Sequence, residues 1–258
     1  MNWKLIFCTL ALTATLAVHA ADFRPGLTSK VSKVSKISTN NPPAAATNQL
    51  VLTATNSSID LTITNEEPKT PGENFTNTVD MEFVRVSGFW AGRHEVTQKA
   101  FQKIMGSNPS ATPGDDHPVD SVSWNDAMDF CQKLTEQEIA GKKLPEGFTY
   151  RLPTESEWES LVDEASIADA VTSTDGPRSG SSPVGSLSPN ALGLYDVRGN
   201  VLEFCLGDSS RPYRVLRGGS WHDNFEVNLR PIFRVYAPPG ESKKTYGFRC
   251  LLVVKPSE

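Results

Sequence analysis

The sequence predicts an α+β domain that contains unusually much irregular structure. Helical patterns are few and short, and so are the runs with the composition of strands. Glycine, proline, asparagine and serine dominate the segments between these elements, which favours turns and loops over longer helices or strands. The composition, with 38 % hydrophobic and 21 % charged residues, is typical of a soluble globular protein.

The first element, residues 1–20, is predicted to be a secretory signal peptide. Lys4 supplies the positive charge, residues 5–18 form the apolar stretch, and Val-His-Ala fits the small-residue rule for cleavage after Ala20. A membrane anchor is the alternative, but the stretch is shorter than the roughly 20 residues that span a bilayer. We therefore expect an exported chain, periplasmic or extracellular, without a transmembrane segment after cleavage.

Two further segments precede the main domain. Residues 21–48 contain the repeat SKVSKVSKI and the run NNPPAAATN, which are typical of a solvated, disordered linker, although the lysines could also touch an anionic surface. In residues 49–76, LVLTAT and IDLTIT alternate apolar and polar residues, which predicts a β-hairpin followed by a second linker. The main domain is predicted to span residues 77–258.

Three helices are predicted in this domain. The first, in VTQKAFQKIMG, ends at Gly106, a residue that commonly terminates helices. The second begins at Ser123 and the third at Thr154, because each is followed three residues later by an acidic residue in a capping-box pattern. The helical spacing turns Cys131 and Trp158 towards the interior.

Strands are predicted in DMEFVRV, FTYRL and RVLRGGS. The tail YGFRCLLVV, rich in valine, leucine and aromatic residues, is predicted to form one buried final strand. A net charge of −5 argues against nucleic acid as a partner, because phosphate binding needs a basic face.

Six blocks of the sequence, in this order, carry a resemblance to one family: GRHEVTQKAFQKIMGSNPS, HPVDSVSWNDAMDFCQKL, YRLPTESEWE, NALGLYDVRGNVLEF, RVLRGGSW and YGFRC. Together they resemble the formylglycine-generating enzymes, or sulfatase-modifying factors, over about residues 77–258. The resemblance implies a single compact domain, poor in regular structure and related to the C-type-lectin-like fold. Several segments of longer members are shortened here, so this is a trimmed member.

The resemblance also implies a copper site, made by two cysteines after the Gly-Gly-Ser block, because soft thiolates select Cu(I). The corresponding positions fall near Asp223 and Asn228, and no cysteine occurs between Cys205 and Cys250. We therefore expect no copper cofactor and no formylglycine-generating oxidase activity.

A structural calcium is implied in the loop GLYDVRGNVLEF. The family's ligand positions correspond to Asp196, Gly199, Val201 and Glu203, and calcium prefers such a mixture of carboxylate and carbonyl oxygens. The alternative is that Glu203 pairs with an arginine such as Arg198 and that no ion binds.

The mature chain keeps Cys131, Cys205 and Cys250, an odd number that permits at most one internal disulfide in an oxidising compartment. The resemblance implies a disulfide between Cys131 and Cys250, and two buried free thiols are the alternative. Cys205 then remains single, either as a buried structural residue or as a nucleophile.

Arginines around the last two blocks, Arg217, Arg230, Arg234 and Arg249, are predicted to brace irregular loops through contacts with carbonyl groups, or to line a peptide groove.

Two functions remain open at this point. The first is an exported, calcium-stabilised module without oxidase activity that binds or scaffolds a protein or glycan. The second is a divergent oxidoreductase or tailoring enzyme acting on a peptide or small molecule, with His222, Asp223 and Cys205 as weak catalytic candidates. For His222 and Asp223 the alternative is a polar surface loop. The sequence does not identify the ligand or the oligomeric state, and whether the chain is an enzyme stays open.

Overall fold

The computed structural model describes residues 49–55, 58–64, 72–145, 147–162, 165–172, 178–207 and 210–255. The chain divides into two compact units, Met1–Glu66 and Glu67–Glu258. The predicted signal peptide (1–20) and disordered linker (21–48) lie outside the described residues. Within the ranges that are described, no helix combines the length and the apolar character needed to cross a bilayer.

The first unit contains the predicted hairpin. Its strands, β1 (Gln49–Thr55) and β2 (Ser58–Thr64), pair antiparallel in a register that places Gln49 opposite Thr64 and Thr55 opposite Ser58. The alternation of apolar and polar residues therefore predicted this hairpin correctly.

The described residues of the second unit form three helices and two sheets, which confirms the predicted α+β class. The helices are α1 (Gln98–Met105), α2 (Trp124–Ala140) and α3 (Glu155–Val162), with short 3₁₀ turns at Ile167–Asp169 and Glu226–Leu229. The strands are β3 (Asn74–Thr76), β4 (Glu82–Val86), β5 (Phe89–Gly92), β6 (Phe148–Arg151), β7 (Leu202–Phe204), β8 (Arg214–Arg217), β9 (Val235–Ala237), β10 (Tyr246–Gly247) and β11 (Leu251–Val254).

The larger sheet has the order β3-β4-β5-β11-β6, and all its neighbours are antiparallel. It includes β3, which ends one residue before the predicted domain start at residue 77. The smaller sheet has the order β10-β7-β8-β9, in which only β10 and β7 run parallel.

The prediction of one final strand in YGFRCLLVV was wrong. The segment forms β10 in the smaller sheet and β11 in the larger one, with Phe248–Cys250 crossing between them. The break has a physical cause: Arg249 is fully buried, and its side chain bonds to groups of other segments. The Phe248 carbonyl accepts from the Val96 N–H, and the Cys250 carbonyl accepts from the Gly92 N–H, which extends the pairing of β11 with β5 by one residue.

The helix ends follow the sequence signals. Gly106 ends α1 in the left-handed conformation, with φ of 80°. The side chains of Ser123 and Asp126 form a capping box at the start of α2. At α3 the Thr154 hydroxyl accepts from the Glu157 main chain, while the Glu157 carboxylate accepts from the Thr154 N–H at 2.8 Å.

Both faces of the larger sheet are covered. On one face, Phe83 of β4 and Leu252 of β11 join an apolar core that includes residues of α1, α2 and the smaller sheet. Residues of the same two strands that point the other way join a second core with α3 and with the loop that precedes β7, namely Val84, Val86, Leu251, Val253, Leu161, Leu194 and Val197. That loop therefore connects the second core to the smaller sheet.

Candidate functional site

The loop of residues 193–203, the predicted calcium loop, is a tight turn with several left-handed residues. Asp196, Gly199 and Asn200 have φ of 52°, 80° and 55°. A Cβ atom on Gly199 would lie 2.6 Å from the main-chain oxygen of Val171, so the close approach of these two segments requires glycine. The sequence forms this turn because glycine and asparagine tolerate the left-handed region.

Three carboxylates are buried around this loop. Asp196, Glu203 and Glu95 are exposed by 5 %, 1 % and 2 %, and one fully buried guanidinium, that of Arg249, lies among them. Burial lowers the pKa of neighbouring His94 to about 4, helped by the charges of Arg249 and Arg93, so His94 is neutral at pH 7 and adds no positive charge.

Glu203 pairs with an arginine, as in the alternative without a bound ion, but its partner is Arg249 and not Arg198. The Arg249 Nη2 atom lies 2.7 Å from Glu203 Oε1, and the Trp158 indole N–H donates to Glu203 Oε2 at 2.9 Å. Arg198 instead donates to the Leu229 carbonyl at 2.9 Å.

Arg249 braces loops, one of the two roles predicted for it. It donates to the carbonyl oxygens of Gly92 at 2.9 Å and Tyr195 at 2.7 Å. Burial by itself lowers the pKa of Arg249, but the negative charge and hydrogen bonds of Glu203 outweigh that effect and raise it. The guanidinium therefore stays charged in the interior.

Asp196 keeps one carboxylate oxygen without a partner. Its Oδ2 atom accepts from the Gly185 N–H at 2.7 Å, whereas its buried Oδ1 atom has no hydrogen-bond partner. Burial raises the pKa of Asp196, because the charged form loses its hydration. Among the described residues, no hydrogen bond ends on the main-chain oxygens of Gly199 or Val201.

Glu95, which the sequence reasoning did not single out, is attached to the same loop. Its Oε1 atom accepts from the Val201 N–H at 3.0 Å, and its Oε2 atom accepts from the Asn200 amide at 2.7 Å. Burial, followed by the charges of Asp196 and Glu203, raises the pKa of Glu95 well above its usual value. Because Glu95 and Asn200 are 105 residues apart, no local pattern predicts this contact.

The predicted calcium ligands fit a hard cation in part. The free Asp196 Oδ1 atom and the carbonyl oxygens of Gly199 and Val201 are donors of the kind that calcium prefers. Glu203 does not fit as a free ligand, because Arg249 and Trp158 hold its oxygens. Across the described ranges, no three histidine, cysteine, aspartate or glutamate side chains are arranged to hold a metal ion. An ion here would depend on main-chain oxygens, and calcium stays a prediction.

The positions at which the resemblance places the copper-binding thiols contact each other. The Asn228 side-chain N–H donates to Asp223 Oδ1 at 2.6 Å. Asp223 Oδ2 accepts from the Ser220 N–H at 2.7 Å and from the Ser220 hydroxyl at 2.9 Å. The two side chains therefore form a hydrogen-bonded pair that closes the turn after the Gly-Gly-Ser block.

The three catalytic candidates, His222, Asp223 and Cys205, do not form one site. His222 is exposed and lies edge-on to Trp221, with ring centroids 5.3 Å apart. Cys205 is fully buried against Trp158, and burial raises the pKa of its thiol, which makes it a poor nucleophile. Within the described part of the chain, no hydrogen bond joins Cys205 to His222 or Asp223.

Cys131 and Cys250 lie in contact, as the predicted disulfide requires. Both side chains are buried thiols in this structure, and their Sγ atoms are 3.4 Å apart. The covalent pairing itself stays a prediction.

Exposed apolar residues concentrate in the segment 213–236. Seven large apolar side chains of the described residues are exposed, and five of them belong to this segment and are each more than half exposed: Tyr213, Phe225, Val227, Ile232 and Tyr236. The segment ends within β9, an edge strand of the smaller sheet.

An ion-pair network joins the same segment to α3. Arg217 is fully buried and contacts Glu155 and Glu159, at 2.7 Å in each case, and Arg234 contacts Glu159 at 3.2 Å. The Arg217 guanidinium also lies over the Trp158 ring, 4.9 Å from its centroid. Arg217 and Arg234 donate to the carbonyl groups of Pro231 and Ile232 as well, so both brace this segment.

Comparisons with known proteins agree with this fold. Residues 47–254 match the family described as sulfatase-modifying factor enzyme 1-like domain. Chaperone protein LppX of Paenibacillus barcinonensis is 27 % identical, over 54 % of this chain and 71 % of LppX. The formylglycine-generating enzyme of Streptomyces coelicolor is 31 % identical over 58 % of this chain, which spans little more than half (57 %) of that enzyme. Among solved structures, Treponema denticola variable protein 1 is similar with a TM-score of 0.60 and 25 % identity, covering 72 % of this chain and all of that one.

Proposed function

We propose, from the premise that this chain belongs to the family of sulfatase-modifying factor enzyme 1-like domains, that it is an exported binding or scaffold module that does not generate formylglycine. Its partner is a protein or a glycan, and the exposed apolar residues of the segment 213–236 favour a protein. The predicted signal peptide in residues 1–20 supports export.

The pair of Asp223 and Asn228 carries the proposal. Copper-dependent oxidation of a thiol needs soft ligands for Cu(I), and these two positions offer oxygen and an amide instead of thiolates. Both side chains are already hydrogen-bonded, to each other and to Ser220, so they support the turn. No cysteine occurs between Cys205 and Cys250, so that segment offers no thiol to a copper ion.

The surface of the segment 213–236 supports a role in binding. Exposed aromatic and aliphatic side chains that gather in one part of a chain are typical of interaction sites. Aromatic residues, of which this segment exposes Tyr213, Phe225 and Tyr236, are enriched in protein interfaces. The similarity to a protein named as a chaperone, LppX, agrees with a protein partner.

We also propose that calcium stabilises the module. Asp196 Oδ1 and the carbonyl oxygens of Gly199 and Val201 would hold the ion, and Glu203 would add negative charge while it stays paired with Arg249. The ion's contribution is to offset buried negative charge and to fix the loop.

The oxidase question is tested with the purified chain, Cu(I) and oxygen, and a peptide that carries the cysteine motif of a sulfatase. We expect no aldehyde by mass spectrometry and no stoichiometric copper. The matched variant, Asp223→Cys with Asn228→Cys, is expected to bind one Cu(I), because two thiolates then meet at this turn. Formation of aldehyde by the unmodified chain would overturn the proposal.

Partner binding is tested by chemical crosslinking in the producing cells. We expect a crosslinked protein that disappears in the double variant Phe225→Ser with Ile232→Ser. The matched control, Leu187→Ser with Val254→Ser, removes two other exposed apolar side chains and should keep the crosslink. Equal crosslinking by both double variants would show that the segment 213–236 is not the binding surface.

A further inference from the structure

Three buried carboxylates of the second unit share one buried positive charge. Glu95, Asp196 and Glu203 all lie near the fully buried Arg249 guanidinium. Only one of these carboxylates, that of Glu203, forms an ion pair with the guanidinium, and burying carboxyl groups that lack such a partner is costly. The Asp196 Oδ1 atom has no hydrogen-bond partner, although Asp196 is only 5 % exposed. This unpartnered oxygen points independently to a cation.

The main chain of the loop fixes the direction of the two carbonyl groups proposed as ligands. A trans peptide points its C=O and its N–H in opposite directions. The Asn200 N–H donates to Val171 O at 2.8 Å, so the Gly199 carbonyl points away from Val171. The Leu202 N–H donates to Thr245 O at 2.8 Å, so the Val201 carbonyl points away from Thr245.

Between these two carbonyl groups lies the peptide that joins Asn200 to Val201, and Glu95 holds it. The Val201 N–H donates to Glu95, while the carbonyl of the same peptide accepts from the Trp221 N–H at 2.8 Å. Glu95 also accepts from the Asn200 side chain, whose own oxygen accepts from the Ser182 N–H at 3.0 Å. A rotation of this peptide would turn both neighbouring carbonyl groups.

We infer that Glu95 is the positioning residue of the cation loop: it holds the Asn200–Val201 peptide so that the Gly199 and Val201 carbonyl groups face one ion. This inference rests on the calcium proposed above. Glu95 touches the loop and not the ion, so its effect on binding is indirect. Groups that orient metal ligands in this way typically change affinity by about 10- to 100-fold when they are replaced.

The test compares the purified chain with Glu95→Gln. Glutamine has the same shape, but its amide nitrogen replaces one of the two acceptor oxygens and faces one of the two loop donors. Calcium affinity is measured by isothermal titration calorimetry, and the melting temperature is measured in calcium and in a chelator. We expect about tenfold or greater loss of affinity and a smaller rise of the melting temperature with calcium. Glu82→Gln, which replaces a half-exposed glutamate paired with Arg93, is the matched control and should bind normally.

A second variant serves if Glu95→Gln does not fold. Asn200→Gly tolerates the left-handed backbone and keeps Glu95, but it removes the side-chain contact between residues 95 and 200. We expect a loss of calcium affinity smaller than that of Glu95→Gln, and unchanged affinity would contradict the inference.

The outcomes separate the two proposals. A chain that does not respond to calcium at all would overturn the proposed calcium site, and this inference with it. If the unmodified chain binds calcium and Glu95→Gln binds it equally well, the calcium site stands and Glu95 is only a core residue. An equal fall of the melting temperature in calcium and in chelator would also assign Glu95 a purely structural role.

Discussion

The loop of residues 193–203 and the turn within the segment 213–236 are stabilised in different ways. In the loop, buried charged groups are held by partners that are distant in sequence, such as Glu203 with Arg249 and Asn200 with Glu95. In the segment, the turn after the Gly-Gly-Ser block is closed locally, by Ser220, Asp223 and Asn228, and apolar side chains face water. The contrast indicates that the loop holds the framework together, while the exposed apolar side chains of the segment can change without loss of the fold.

The largest effect is expected from Arg249→Met in the framework. It leaves Glu203 buried without its charge partner, and breaking a buried ion pair from one side costs about 3–5 kcal/mol. The free energy of unfolding in urea measures this loss. Arg230→Met, at an exposed position, is the control and should change little. A small loss of stability in Arg249→Met would show that the loop does not depend on its buried charges, and the difference between the two regions would not hold.

The second largest loss of stability is expected from Gly199→Ala. Both Gly199 and Gly193 have a φ near 80°, so alanine at either position is strained by about 1–2 kcal/mol. Only at Gly199 would the new Cβ also meet the Val171 main chain, and nothing lies within 4 Å of it at Gly193. The difference between the two alanine variants in urea denaturation isolates the contact, and we expect it to be about 1–3 kcal/mol. Equal losses would show that the loop and residue 171 are not tightly packed.

A pH effect is expected at α3, which contacts both regions through Trp158 and through the ion pairs of Glu155. Burial raises the pKa of Glu157, but hydrogen bonds from Arg151 and Thr154 outweigh it and lower the pKa to about 2. A lowered pKa in the folded state means that this stability is present above pH 4.5 and is lost as the pH falls from 4.5 towards 2. After allowance for solvent screening we expect about 1–2 kcal/mol. Glu157→Gln should flatten the dependence of the free energy of unfolding on pH in this range, measured by urea denaturation at several pH values. An unchanged dependence would contradict the assignment.

The smallest effect is expected in the exposed segment. Phe225→Ser and Ile232→Ser remove side chains that face solvent, so the free energy of unfolding should change by less than about 0.5 kcal/mol each. Thermal unfolding monitored by circular dichroism is a sufficient measurement. A loss above 2 kcal/mol would mean that these residues support the fold, and the distinction between the two regions would disappear.

Local signals in the sequence predicted local structure well. The capping residues Ser123 and Thr154, the terminator Gly106 and the hairpin alternation all depend on neighbours within a few positions, so one sequence contains the necessary information. The inward position of Cys131 follows from helical spacing in the same way.

What could not be predicted depends on partners far along the chain. The burial of Glu95 is stabilised by a loop 105 residues away, and Arg249 splits the tail because its partners lie in three other segments. The candidate calcium ligands came from a family resemblance, which gave no sign that Arg249 would hold Glu203. Long-range polar contacts of this kind leave no periodic pattern in the sequence.

The position of β11 sets the order in which the larger sheet can form. This strand, near the carboxyl end of the chain, lies between β5 and β6, whose edges have no partner until it arrives. A polypeptide that emerges from the ribosome amino end first therefore cannot close this sheet before residues 251–254 have been made. The two halves of the larger sheet, β3-β4-β5 and β6, therefore stay separate until β11 has been made.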